Sequence, residues 1–533
     1  MRIKLTTIFY LLFAAISVFA QDLSNEYKVI SINKKVNEIP YENPYQSPLE
    51  NYIARMYLWI DGKNDTIHSE TIKARMGQSA KPYPQKDAEI ALNSDIEQII
   101  IYRDSIGLIF RKENSNSGSY LVGMSQWENG KWLGIGEDIC FAKNINEAKQ
   151  YIETKAIGIL NRLRRFEQLK IVSTDTIAFI DYLKTNSREP VRYLLDKLKN
   201  TRLVIYGEVH FRKNSWGLLR ELMKTPEFSE TTGRVFFELS ACAQPAFDRF
   251  YNNETKDVNI ILDIFRKEEI TGWPDKNMYD CLVDLWDINQ KLPDEKKIKV
   301  IATEYQRTFY HEITSKQQYD SIESRRLDRD EIMAECIENH ISKSNDKRNN
   351  LFIVGRSHAY KSPALTRGGL QINGLSAGYI LSEKLGKENV FSIFTHSAST
   401  TNEGHLHGKF RNGLFDFVFA ETGNKPIAFD LVDSPFGNEP FDGSAEIWFD
   451  IKAGTYANNY DGYIFLQPIQ EELNNYLFPE LYSDEYIDEI KRRAKIIGTE
   501  TNIYFGIELR NLNRTELLDN MKKEDGEKRW KDL

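Results

Sequence analysis

Short apolar runs that stop at or beside an acid or a histidine constrain this chain more than any other feature of its sequence. The clearest is Thr201 to Phe211, TRLVIYGEVHF. Leu203, Val204 and Ile205 form the continuous apolar run of a strand buried on both faces, and it ends at Gly207 before Glu208 and His210. In an extended chain, residues two apart project to the same side, so Glu208 and His210 offer a carboxylate and an imidazole to one small volume. The pattern recurs downstream: RVFFELS carries Glu238, IKVIATEY carries Glu304, NLFIVGRSH ends in His358 and NVFSIFTH in His396. Open α/β sheets build their sites at the carboxyl ends of their strands, where these residues would stand.

Between the runs the apolar spacing is helical. Pro190 opens PVRYLLDKLK, with Val191, Leu194, Leu195 and Leu198 on one face and Asn200 at its end. Further helices are predicted over Trp216 to Lys224, a long region containing Trp273 and Trp286, Asp320 to Ser342 and Ser376 to Leu385. They alternate with strands at Arg234 to Leu239, Lys299 to Thr303, Leu351 to Val354 and Val390 to Thr395, and a last strand follows in DGYIFLQP, Asp461 to Pro468. This alternation predicts an α/β fold, a mainly parallel sheet with helices on both faces, over residues 189–470. Residues 400–460, rich in glycine and acids with little periodicity, read as an insertion or lid-like loop, and 471–533 as a helical extension.

The first 172 residues read differently. Arg2 and Lys4 precede an apolar block from Leu5 to Phe19, with Val18 and Ala20 giving the small-residue pattern of leader cleavage before Gln21. That predicts export, periplasmic or secreted, and no later stretch has the apolar length that spanning a bilayer needs. From 21 to 172, strands at Ile106 to Lys112 and Tyr120 to Gln126, a hairpin turn at Asn129-Gly130 and a closing helix with Ile152, Ala156, Ile159, Leu160 and Leu163 on one face predict a small α+β domain. Its pattern resembles the nuclear transport factor 2-like fold. A formal net charge of -8 with no basic cluster argues against a nucleic-acid partner. Cys140, Cys242, Cys281 and Cys336 show no CxxC spacing, and buried free thiols are the commoner fate of such sparse cysteines.

Taken together and in order, YGEVH, FFELS, RDEIMAE, VGRSH and YDGYIFLQPI resemble the superfamily of erythromycin-esterase-like hydrolases, ChaN-like haem-uptake proteins and Tiki/TraB-type proteases. The match spans Glu189 to Pro468. The resemblance implies that Glu208, His210, Glu238, Arg329 and His358 share one cleft as catalytic residues; Glu304 and His396, which also close strands, are expected beside them as substrate-binding residues from their position alone. It departs from esterase-like members at Lys361, where they often carry a further histidine.

These residue types permit hydrolysis of an ester or amide by water, with His210 as base, Glu208 or Glu238 behind it, and His358 or Arg329 facing the developing oxyanion. Arg329 lies in a helix where it serves either as an oxyanion donor or as a carboxylate clamp, and Asp330 is expected to face solvent. No G-x-S-x-G nucleophile elbow is present, and Ser357, next to His358 on a strand, would point away from it. The same histidines and carboxylates are adequate ligands for a divalent metal. The alternatives are a haem or other ligand-binding protein of the uptake kind, or a non-catalytic surface protein. The substrate of the hydrolase would be a small molecule or a peptide.

Overall fold

The computed structural model describes residues 27–40, 42–60, 85–102, 104, 106–112, 120–128, 130–140, 172–305, 312–323, 329–364, 374–398, 409–443 and 451–527. The leader-like segment, the helix expected from Asn146 to Leu163, and His68, His311, His405 and His407 lie outside these residues. The chain divides into two compact units, Met1–Asn161 with Thr400–His407, and Arg162–Ser399 with Gly408–Leu533.

The first unit holds a five-stranded antiparallel meander, β1 (Tyr27–Lys35), β2 (Asp95–Tyr102), β3 (Ile106–Lys112), β4 (Tyr120–Glu128) and β5 (Lys131–Cys140), paired in that order. The expected hairpin forms: Glu128 pairs with Lys131, Gly130 between them has a φ of 78°, and Trp127 meets Trp132 edge-on at 5.6 Å. Helix Pro48–Ile60 covers the sheet, and its Tyr52 and Ile53 join Ile96, Ile99 and Ile109 in the core.

The second unit is an α/β layer structure. Its sheet runs β11 (Ile427–Asp430), β12 (Gly462–Phe465), β10 (Val390–Thr395), β6 (Leu203–Glu208), β9 (Asn349–Gly355), β7 (Thr232–Ser240) and β8 (Lys299–Glu304). All neighbours are parallel except β11 and β12. Alternate residues of one strand go to different cores. Val204, Tyr206, Val235, Phe237, Leu351 and Ile353 pack on one side, and Leu203, Ile205, Phe236, Phe352 and Val354 on the other. Burial on both faces is why these strands read as unbroken apolar runs. The first core is closed by helices Pro190–Asn200, Lys213–Met223 and Lys276–Asn289, the second by Arg329–Ser342, Ala377–Leu385 and Leu414–Glu421.

Three expectations need correction. Helix Thr176–Asn186 stands where a boundary was read, and its Phe179 and Leu183 belong to the second core, so the α/β unit starts before Glu189. Residues 409–443 are not a lid-like loop: helix Leu414–Glu421 packs on the sheet and β11 completes its edge. The single helix expected from Asp320 to Ser342 consists of Lys316–Glu323 and Arg329–Ser342, with 324–328 outside the described residues. The 471–533 extension is helical in part, through Asp484–Ile497 and Arg514–Glu524, and also carries a two-stranded hairpin, β13 (Ile503–Tyr504) and β14 (Ile507–Glu508).

Candidate active site

Four parallel strands, β6, β9, β7 and β8, lie side by side and bring their carboxyl ends to one region. β6 ends in Glu208, only 4% exposed, and the chain turns immediately so that His210 Nδ1 hydrogen-bonds back to Glu208 Oε1. The His210 ring packs edge-on to Trp273 at 5.1 Å. On β7 the register slips between Phe237, opposite Ala302, and Ser240, opposite Glu304. Such a bulge re-aims a side chain, and the side chain at this one is Glu238. Its Oε2 accepts the Gly355 N–H at 2.6 Å where β9 ends, and its Oε1 meets Arg329 Nη2 and lies 3.6 Å from His358 Nε2.

Arg329 and Asp330 open helix Arg329–Ser342 and split their work. The guanidinium also reaches Glu304 Oε1, so it clamps two carboxylates rather than standing ready as an oxyanion donor. Asp330 does not face solvent: its Oδ1 lies 2.8 Å from His358 Nδ1 and accepts the Ala377 N–H at 2.8 Å. Two histidine–carboxylate pairs, His210 with Glu208 and His358 with Asp330, therefore flank Glu238.

The charges lock one another. Burial pushes the Glu238 carboxyl upward, but Arg329, then His358 and His210, and the Gly355 N–H outweigh it and hold it at about 2. Burial lowers His210, yet the charge and hydrogen bond of Glu208, then Glu238, raise it to about 9. His358 is raised against the same burial by Asp330 and then Glu238. At neutral pH His210 is accordingly an imidazolium, with a side chain 36% exposed. Asp275, 1% exposed and unmarked in the sequence reading, is pushed to about 7 by burial and then by the charge of Glu208. It caps helix Lys276–Asn289 through the Met278 N–H at 3.0 Å and accepts the Phe211 N–H at 3.3 Å.

Glu208, His210 and Glu238 each offer one ligand atom, and these atoms lie within 4.8 Å of one another. Among the described residues Glu208 Oε2 is buried without a hydrogen-bond partner, so the donor set fits a divalent cation. An ion held there would displace the proton of His210 and supply an acidified water.

The structure thus gathers Glu208, His210, Glu238, Glu304, Arg329 and His358, and leaves His396 out. The His396 ring is fully buried, with Nδ1 2.6 Å from the Tyr463 hydroxyl and Phe410, Phe419 and Phe465 around it, so it is a core residue rather than a substrate contact. Lys361 pairs with Asp461 at 2.8 Å at the start of β12. Arg356–His358 is a turn of 3₁₀ helix, so strand alternation does not set the direction of Ser357.

At Gly355 the side chains of His210 and Glu238 come close to the bare backbone. A Cβ there would stand 3.1 Å from His210 Nε2 and 3.3 Å from Glu238 Oε2. Gly355→Ala is expected to push the imidazole and the carboxylate apart, cutting any turnover by about tenfold or more while costing about 1–3 kcal/mol of stability. Parallel turnover and urea-unfolding measurements check this, and unchanged turnover would refute the close approach.

Comparison with known proteins gives no matching family model and no matching curated protein. Among solved structures, a Bacillus cereus protein is 13% identical, covering 55% of this chain and 98% of its own, with a TM-score of 0.39. An erythromycin esterase mutant in an open conformation is 9% identical over 51% of this chain and 92% of its own, at 0.36. The haem-binding ChaN of Campylobacter jejuni is 13% identical over 38% of this chain and 85% of its own, at 0.26.

Proposed function

We propose that the α/β unit is a hydrolase that adds water to an ester or amide carbonyl. The observation that carries this is the flanking of Glu238 by two histidine–carboxylate pairs at the sheet's carboxyl edge. In the reacting form His210 is neutral and Glu208 holds its Nδ1, which leaves Nε2 to take a proton from water as the oxygen bonds to the carbonyl carbon. The oxyanion so formed is met by the Nε2–H of His358, whose charge Asp330 sustains. His210 then returns its proton to the departing alkoxide or amine as the carbon–heteroatom bond breaks. Arg329 acts behind this chemistry by fixing Glu238, which orients both imidazoles.

The test is turnover by the purified full chain on a panel of simple esters and amides, with chelator and with added zinc or manganese. Hydrolysis above a His210→Gln control is expected. A panel with no such excess under any metal condition would sink the hydrolase reading.

A further inference from the structure

Beside His210 a run of aromatic rings begins that neither the sequence motifs nor the hydrolytic chemistry requires. Trp273 lies 5.1 Å from the His210 ring and 5.1 Å from Phe211; Phe211 lies 5.7 Å from Tyr476, Tyr476 5.4 Å from Phe505, and Phe505 4.9 Å from Tyr504. These rings come from four separate stretches of chain, and each is only half-buried. Trp273, Tyr504 and Phe505 rest on the hydrophobic core, so the strip has a fixed floor.

Two of its members are placed at a cost. Phe211 has a φ of 62° and Phe505 a φ of 46°, the left-handed region where a bulky side chain is an outlier. The other non-glycine residues with positive φ among the described residues are Asn33, Asp104, Arg411, Asn412, Asn424 and Asp433, none of them aromatic. Both strained backbones are held by specific partners. For Phe211, Asp275 accepts its N–H at 3.3 Å, and its carbonyl accepts from the Asn475 N–H at 3.1 Å. Phe505 sits with Gly506 in the two-residue turn between β13 and β14, where Asn-Gly is the easy choice, and its carbonyl accepts from Asn520 Nδ2 at 2.8 Å. Strain maintained by surrounding structure points to use, and what these two residues gain is the position of a ring in one continuous strip.

We infer that Phe211, Trp273, Tyr476 and Phe505 form a subsite for a flat, apolar ring on the substrate, carried a few bonds from the carbonyl that His210 serves. The carbonyl clause rests on the hydrolase reading; the ring site does not. Aromatic faces and edges favour a flat ring over an equally apolar puckered one, because offset and edge-on contacts add to area burial.

The experiment compares ethyl 2-naphthylacetate, ethyl cyclohexylacetate and ethyl acetate as substrates, and measures binding of 2-naphthylacetate by calorimetry. The full chain is used with Phe211→Gly, which removes the ring while suiting the backbone, and with Trp273→Leu. Expected are saturable binding of 2-naphthylacetate, a kcat/KM order of naphthyl, cyclohexyl, acetate, and a fall of about tenfold in the naphthyl-to-acetate ratio and in naphthylacetate affinity in each variant. Binding that both variants weaken, with no ester hydrolysed, would keep the ring site and remove the hydrolase reading. Hydrolysis without preference for the naphthyl ester, or naphthylacetate binding that neither variant weakens, would overturn the subsite and leave the rings as packing for the C-terminal hairpin.

Discussion

Replacing His210 with glutamine is expected to lower kcat/KM for any ester or amide the protein hydrolyses by about 10²–10⁴-fold, the usual worth of a positioned acid–base group. Glutamine is the informative choice. Alanine would leave Glu208, 4% exposed, with neither oxygen paired, and the lost stability would blur the result. A glutamine amide can still donate to Glu208 but cannot shuttle a proton. Activity should depend on pH in the same sense: the neutral imidazole that accepts the proton of water becomes populated as pH rises toward about 9. Stability runs the other way. With a folded value raised above the unfolded one, the contribution of the His210–Glu208 pair is fully present below the ordinary histidine pKa and is lost as pH rises through about 9. A glutamine variant with wild-type turnover would remove His210 from the mechanism.

Replacing Arg329 with methionine is expected to cost about 3–5 kcal/mol in urea unfolding, because it removes the guanidinium that the buried carboxylates of Glu238 and Glu304 share. The depressed pKa of Glu238 sets the sign with pH. Its contribution in the wild type is present above the ordinary glutamate range and is lost as pH falls toward about 2, so the variant should lose most near neutrality and converge on wild type in acid. Adding Glu238→Gln and Glu304→Gln to the variant should return much of the loss. A deficit in Arg329→Met that is small and independent of pH would mean that the guanidinium is not the counter-charge of these acids.

Much of this was legible in the sequence because burial on both faces leaves an unambiguous mark. Val204 and Ile205 serve different cores, so neither position of β6 tolerates a polar residue, and the first polar side chains appear where the strand ends. Glu208, Glu238, Glu304 and His358 were visible for that reason. Asp330 was misread because an acid beside an arginine on a helix usually faces water; what turns it inward is its helical spacing, three and four residues before the buried Met333 and Ala334. Asp275 carried no mark in the sequence: it caps a helix, and only the fold brings it to Phe211. His396 closes an apolar run as His358 does, but its strand, β10, lies on the far side of β6 from β9, β7 and β8, which carry Glu238, Glu304 and His358 at their ends. The strand at Ile427–Asp430 was hidden by its shortness among glycines and acids.

That short strand has a bearing on how the molecule can be cut. β11 is the outermost member of the sheet, and its open side is met by Arg188, whose N–H and carbonyl both bond to Ala428 at 2.8 Å. Just upstream, Phe179 lies 4.8 Å from Phe436 and 6.3 Å from Phe415, and the Tyr182 hydroxyl donates to the Asp430 carbonyl at 2.7 Å. The stretch from Asp175 to Arg188 is thus a hem stitched along the raw border of the sheet. A fragment begun at Glu189, where the sequence motifs start, would bare an unpaired strand beside uncovered aromatic rings, the combination that invites other chains to add themselves to a sheet. Preparations of the isolated α/β unit should therefore keep this hem, and a fragment that lacks it would report on aggregation before it reported on chemistry.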